Sequence, residues 1–293
     1  MRVTSMSAIR EAGTDPTALS PRGFARFARF ITTELGIKMP EAKLPMLQSR
    51  LMRRLRQLQL GSVEEYQDYL FSSPNADEER VHFIDAITTN KTDFFREPQH
   101  FEYLVHTVLP NLSRTGGSGA AVRLRLWCAG CSSGEEPYTL AMVLSEYARQ
   151  RKGFDFALLA TDISTRMLDH ARAGIYDESR VEPVPMPLRH SYLLRSRDRC
   201  RRLVRIVPEL CARVVFRRLN FMDDDYGLDV AFDVIFFRNV MIYFDKPTQE
   251  TVLHKLCRHL RPGGHLFVGH SESLAGLNVP VVLAHSAVFR KPL

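Results

Sequence analysis

Leu126-Trp-Cys-Ala-Gly-Cys-Ser-Ser-Gly-Glu-Glu-Pro-Tyr138 passes from an apolar run through a glycine turn into a helical pattern that continues to about Arg149. A buried strand that ends in a glycine turn and opens a helix lets backbone approach a nucleotide-like ligand at the carboxyl end of a sheet. The turn is not G-x-G-x-x-G, and no Lys-Ser/Thr follows it. Glu135 and Glu136 occupy the place where a phosphate would be repelled. An acidic first turn suits a cationic ligand or one carrying an ammonium group. An ordinary strand–helix turn with dipole-favoured acids is the alternative. Downstream, Phe156-Ala-Leu-Leu-Ala160 runs into Thr161-Asp162. An acid ending the second strand is placed to accept from ribose hydroxyls, or else caps the next helix. Together the two features indicate an adenosine-type ligand without phosphate, which S-adenosylmethionine satisfies.

Apolar runs at 214–216, 232–237 and 264–268 alternate with helical patterns at about 167–171 and 247–260, and 281–289 reads as two short strands. Such alternation predicts an α/β unit whose parallel sheet is covered on both faces. Residues 172–213 fit less well. Pro183, Pro185 and Pro187 crowd together, and Tyr192 to Ile206 reads as a hairpin around Arg195–Arg202, an insertion at about 183–213.

Ahead of the sheet unit the texture is helical. Phe24, Phe27, Ile31 and Leu35 share one face, as do Leu44, Leu47, Leu51, Leu55 and Leu58, with Gly61 as the expected stop. Ser62-Val-Glu-Glu65 is a capping box, and Asp77 to Ala86 gives a fourth helix. The expected organisation is a flexible tail at 1–22, a helical domain at 23–87, a linker at 88–99 and a sheet domain at 100–293.

The chain has 293 residues with 40 Lys+Arg against 33 Asp+Glu, and 33 of the basic residues are Arg. A length prior of ~150 residues per domain suggests two domains. Arg recognises carboxylate or phosphate in bidentate fashion, so an acidic partner is compatible with the charge, as is simple solubility. No run approaches the ~20 apolar residues of a membrane span, and the first residues lack a signal-peptide pattern. Five sparse Cys suit reduced thiols and a cytoplasmic location. Cys128 and Cys131 form C-x-x-C without a matching second pair, so neither metal nor redox chemistry is expected there.

Two further stretches carry polar residues at element ends. In Thr88-Thr-Asn-Lys-Thr-Asp-Phe-Phe-Arg-Glu-Pro98, Asn90, Thr92 and Arg96 stand in the linker. In Phe232-Asp-Val-Ile-Phe-Phe-Arg-Asn-Val-Met-Ile-Tyr-Phe244, Arg238, Asn239 and Tyr243 follow a strand at the depth of a methyl acceptor. The Asn-Pro-Pro-Tyr/Phe motif of nucleobase and amide N-methyltransferases is absent there.

Read in order, TTNKTDFFRE, AGCSSGEEPYT, ATDIS, LN, FFRNVMIYFD and LRPGGHLFVGHSES resemble the chemotaxis-receptor methyltransferases, the CheR family, from about residue 24 to 293. The resemblance implies a class I, Rossmann-like methyltransferase sheet domain with an all-helical N-terminal domain and a small inserted β-subdomain. It implies methyl transfer from S-adenosylmethionine, leaving S-adenosylhomocysteine, to glutamate side chains on the cytoplasmic helices of methyl-accepting chemoreceptors. Asn90, Thr92 and Arg96 would line the cofactor pocket, with Arg96 near the methionyl carboxylate and the reacting centre. Glu136 would hold the methionyl end with Tyr138 nearby, and Asp162 would take the ribose. Asn220 and Phe221 would meet the adenine, Phe237 and Arg238 would close the pocket, and Tyr243 would face the methyl group. Arg50, Arg53, Arg54 and Arg56 match the basic helix that docks on the receptor. The inserted hairpin lacks the glycine that some members use to grip a receptor tether. A monomer is expected, with no metal, nucleic acid or inserted membrane segment. The alternatives are a methyltransferase of the same fold acting on another acidic protein or on RNA, and a non-catalytic sensor module.

Overall fold

The computed structural model describes residues 17–73, 76–115, 122–198 and 200–293. Most of the expected tail and Arg199 of the hairpin lie outside the described residues. Two units emerge: 17–31 with 39–87, and 32–38 with 88–293.

The first unit is built from α1 (Pro21–Leu35, whose last turn belongs to the second unit), α2 (Leu44–Leu58), α3 (Val63–Ser72) and α4 (Ala76–Ile87). Phe27 of α1 sits 5.4 Å from the Phe83 ring, in a core shared with Leu47, Leu51, Leu55 and Leu70. The expected stop at Gly61 falls earlier. Gln59 takes the left-handed conformation (φ 57°) at the end of α2, and the Leu60 amide returns to the Leu55 carbonyl. Ser62 caps α3 by accepting from the Glu65 amide (3.1 Å), while Glu65 reaches back to the Gly61 amide (2.8 Å). The box therefore closes one residue beyond its usual donor.

This unit also divides the arginines of α2. Arg54 donates from Nε to Glu79 Oε1 (3.0 Å), and Tyr66 donates to the same oxygen (2.7 Å). Glu79 is buried, so Arg54 is its counter-charge. Arg50 donates to the Ile87 carbonyl. Arg53 and Arg56 are exposed. The expectation that all four face a partner is thus corrected. The helix turns Arg50 and Arg54 toward α4 and leaves Arg53 and Arg56 outward.

The second unit opens with α5 (Gln99–Tyr103), a π-helical turn (Leu104–Val108) and α6 (Leu109–Thr115). Sequence reading passed over this helix, although Phe101, Leu104 and Val108 are its buried face. Then follow β1 (Val122–Ala129), α7 (Glu135–Arg149), β2 (Phe154–Asp162), α8 (Thr165–Ala173) and β3 (Ile175–Asp177). Next come α9 (Met186–Tyr192), β4 (Leu193–Arg195), β5 (Leu203–Ile206), α10 (Pro208–Cys211), β6 (Val214–Arg218) and β7 (Phe232–Phe236). The chain ends with α11 (Lys246–Arg258), β8 (Leu260–Phe267), β9 (Val282–His285) and β10 (Val288–Arg290).

The main sheet has the order β6-β2-β1-β7-β8-β10-β9 and is parallel except for β10, which runs antiparallel to both β8 and β9. Alternate residues of β1 enter separate apolar clusters, Leu124, Leu126 and Cys128 in one and Trp127 and Ala129 in the other. Both faces are therefore covered, as a parallel sheet requires. The chain winds outward from β1 through β2 to β6, then returns to β7 on β1's other side. The crevice at such a switch point is where α/β sheets bind ligands.

The inserted β-subdomain is a separate sheet of order β3-β5-β4, with Leu193 paired to Ile206 in the expected hairpin. It starts at Ile175 rather than about 183, because β3 pairs with the distant β5 (Tyr176 with Val204). Arg261-Pro-Gly-Gly264 lies within β8 beside a register shift against β7.

Candidate active site

The turn after β1 is held by β2. The Gly130 and Cys131 amides both donate to the Thr161 carbonyl (2.8 and 2.9 Å). Gly130 (φ 87°) and Gly134 (φ 99°) take conformations that L side chains rarely adopt. A Cβ on Gly130 would come within 2.6 Å of Val240, and one on Gly134 within 2.8 Å of Ala171. Both glycines are thus required by conformation and by space.

Asp162, at the end of β2, is fixed from two sides. Oδ2 accepts the Ser132 amide (2.8 Å) and Oδ1 the Ser164 amide (2.9 Å). The carboxylate is oriented before any ligand arrives, at the carboxyl edge beside the switch point. Ser132 Oγ donates to the Asn90 carbonyl (3.0 Å), which lays the linker against the same turn.

The two acids opening α7 are both answered by arginine. Glu135 accepts from Ser133 Oγ (2.7 Å) and pairs with Arg180 (2.7 Å), a residue between β3 and α9 that also bonds the Thr92 carbonyl (2.5 Å) and Asp93 (3.0 Å). Glu136 lies 3.0 Å from Arg238 Nη1, and Cys128 Sγ donates to its other oxygen (3.2 Å). Arg238 is fully buried over the Phe101 ring, and its Nη2 serves the Arg96 carbonyl (2.5 Å) and Glu97 (3.0 Å). Two carboxylates against one guanidinium leave the group one negative charge. That excess favours an ammonium or sulfonium neighbour over a phosphate, as the acidic turn predicted.

Electrostatics follow from this packing. Burial pushes the Glu97 carboxyl up, but Arg238, the His270 amide and nearby histidines outweigh it and hold it below the usual range. Burial, then Glu136, raises the Cys128 thiol well above its ordinary value; burial, then Asp162, does the same to Cys131. Both remain free thiols, poorly suited to nucleophilic or redox work. The ligating atoms of Glu97, His100 and His270 come within 4.8 Å of one another, but Glu97 is already engaged by Arg238, whose charge opposes a cation.

The other sequence-predicted residues divide. Thr92 is buried and Arg96 half-buried, with Arg96 Nη1 donating to the Lys91 carbonyl (3.1 Å). Asn90 Nδ2 reaches Thr88 (3.3 Å). The Leu219 amide donates to the Asp162 carbonyl (3.0 Å), which brings Asn220 and Phe221 beside that acid. The Asn220 side chain donates to the distant Glu34 carbonyl of α1 (2.7 Å) and accepts from the Met222 amide (3.1 Å). Phe221 meets the wholly buried Phe237 edge to face at 5.1 Å. Tyr243 is half-buried in a short 3-10 turn, Met241–Tyr243, after β7. Tyr138 is a correction. It is fully buried, and its hydroxyl donates to the Ala171 carbonyl (2.7 Å), so it joins α7 to α8 and offers nothing to a cofactor. Glu97, Arg180 and Ser132 escaped sequence reading. Glu97 stood inside the quoted linker motif beside Arg96, but a charge facing a buried partner looks like any surface charge in sequence.

These residues fit S-adenosylmethionine. An oriented acid stands at the end of β2, acids rather than phosphate ligands open α7, and the turn lies at the switch point. Residues 90–287 match the family model described as CheR methyltransferase, SAM binding domain, and 22–88 match CheR methyltransferase, all-alpha domain. The chain belongs to the CheR family. A chemotaxis protein methyltransferase of Klebsiella aerogenes is 38% identical over 298 residues, covering 99% of this chain and 98% of that protein. One of Borreliella burgdorferi is 38% identical over 253 residues (86% and 88%), and chemotaxis protein methyltransferase 2 of Pseudomonas aeruginosa is 42% identical over 240 (81% of each). This CheR-family protein is an S-adenosylmethionine-dependent methyltransferase of chemotaxis, with a class I sheet domain and an all-helical N-terminal domain. Among the described residues, no helix is long and apolar enough to cross a membrane.

Proposed function

We propose that this chain acts in the cytoplasm, as a monomer, on glutamate side chains of chemoreceptor cytoplasmic helices, forming γ-glutamyl methyl esters. The observation that carries the reading is the full-length likeness to proteins named chemotaxis protein methyltransferase. The site's chemistry supports it. S-adenosylmethionine, when bound, supplies a methyl group already activated by its sulfonium. A glutamate carboxylate of pKa ~4.3 is ionised at neutral pH and needs no general base. What remains is alignment and exclusion of water.

Asp162, held by two amides, orients the ribose end, and Asn220 and Phe221 border the adenine. Glu136 and Arg238 fix the methionyl end with Asn90 and Thr92 alongside, while Phe237 backs the pocket wall. Arg96 and Tyr243 are the residues for the incoming carboxylate, the first as its charge partner and the second as a hydrogen-bonding wall. Arg53 and Arg56 are the docking arginines for an acidic receptor helix. Incubation with methyl-labelled donor and either receptor cytoplasmic fragments or RNA tests the reading. Alkali-labile label on the receptor is expected, and label on RNA alone would overturn it.

A further inference from the structure

The loop after β7 carries Arg238 at one end and Tyr243 at the other, and its conformation is imposed from outside. Asn239 stands in the left-handed region at φ 58°. Only short polar side chains tolerate that region readily, and even for them it costs energy unless the surroundings hold it. Two close approaches wedge the loop. Gly130 faces Val240, where a Cβ would come within 2.6 Å, and Gly269 faces Asn239, where a Cβ would come within 2.4 Å of Nδ2.

The holding group is Glu272, from the turn after β8. Its carboxylate is buried, and Oε2 accepts both the Asn239 amide (2.8 Å) and the Gly269 amide (2.7 Å). Its own amide closes the turn on the Gly269 carbonyl (2.9 Å). The Met241 and Ile242 amides face the same carboxylate, although Oε1 itself closes no hydrogen bond. One charge thus gathers the amides of the β7 loop and of the β8 turn around it. Two residues before Glu272, His270 donates its amide to Glu97 (3.3 Å), the partner of Arg238. Residues 269–272 therefore brace Arg238 and Asn239 together.

We propose that Glu272 is a positioning residue for methyl transfer, holding Asn239 left-handed so that Tyr243 stays at the reacting end, while Arg238 keeps its place through Glu97 and Glu136. It does not touch the donor in this scheme. It acts through the backbone of the loop, so its loss should disturb the reaction geometry more than donor affinity. Glu272→Gln keeps size and burial but replaces the charged acceptor. Gly269→Ala displaces Asn239 by direct steric contact while keeping the Glu272 side chain.

The test uses the full chain. The wild-type rate on a receptor fragment checks the proposed acceptor, and the variant-to-wild-type ratio checks Glu272, so the two can fail separately. Both variants should lower kcat about 100-fold, the scale for misplacing a reacting group by an ångström. Their S-adenosylhomocysteine Kd should stay within about threefold of wild type, a factor worth under 1 kcal/mol. Amide hydrogen exchange, which needs no acceptor, should speed up in residues 238–244 and 269–273 of Glu272→Gln and stay unchanged in β1 and β2. Unchanged exchange in that loop, an unchanged kcat, or equal losses in kcat and Kd would each overturn the proposal.

Discussion

Arg238 and Glu136 meet at 3.0 Å with the arginine side chain wholly out of solvent. Glu97 holds the same guanidinium from its other terminal nitrogen. A buried ion pair of this kind adds little net stability over an apolar replacement, but removing one member alone strands the others. Arg238→Ala would leave Glu97 and Glu136 facing each other without a cation. The expected loss is about 3–5 kcal/mol of stability, read by chemical denaturation, together with loss of S-adenosylhomocysteine binding by calorimetry. Unaltered stability would show that the carboxylates find other partners.

Asp162 offers a cleaner separation of binding from folding. Asp162→Asn keeps one carbonyl acceptor for a turn amide and removes the charge. Hydrogen bonds to charged groups contribute about 1.5–3 kcal/mol, so donor affinity should fall roughly 10- to 100-fold. Titration with S-adenosylhomocysteine checks this, and a Kd equal to wild type would remove Asp162 from the ribose site.

The arginines of α2 should separate into two phenotypes. Arg54→Ala leaves the buried Glu79 carboxylate without its cation and should lower the stability of the helical unit by about 3 kcal/mol. Arg53→Ala with Arg56→Ala should leave the melting temperature unchanged and weaken receptor binding several-fold, with a shallower salt dependence. Receptor affinity insensitive to the double substitution would place docking elsewhere.

Acid should destabilise the sheet unit through buried imidazoles. Burial, then Arg238 and His270, lowers the His100 pKa to about 3 against the pull of Glu97, with His285 adding to the depression. Burial, then Arg290, lowers His265 to about 4. In the unfolded chain both titrate near ~6.5. The unfolded state therefore binds the extra protons, and stability is complete above that pH. It is lost as pH falls from there toward the folded values, by up to about 1.4 kcal/mol per pH unit for each histidine. Denaturation at pH 7.5 and pH 5, for wild type and His265→Gln, should show a smaller pH slope in the variant.

The sheet and the glycine turn after β1 were legible because their signals are local. An apolar run, a glycine turn and a helix in sequence, followed by an acid at the next strand end, need no distant partner to be recognised. What was missed depends on contacts far apart in the chain. Whether Tyr138 faces a ligand or the Ala171 carbonyl is decided by how α8 packs on α7. Whether Arg54 is a docking charge or the mate of Glu79 depends on α4. The start of the inserted sheet at Ile175 is set by a pairing with Arg205 that nothing near Ile175 announces. Glu272 sits in the quoted HSES stretch, yet its value lies in amides contributed from a different loop.

Arg180 ties the inserted sheet's approach to both Asp93 of the linker and Glu135 of the glycine turn. Any attempt to transplant this insertion into another enzyme, or to receive a foreign one here, must move three residues from three separate stretches as a set. A graft that carries Arg180 without its two acids would import an unmatched cation beside the glycine turn, and one that omits it would leave Glu135 buried without its counter-ion.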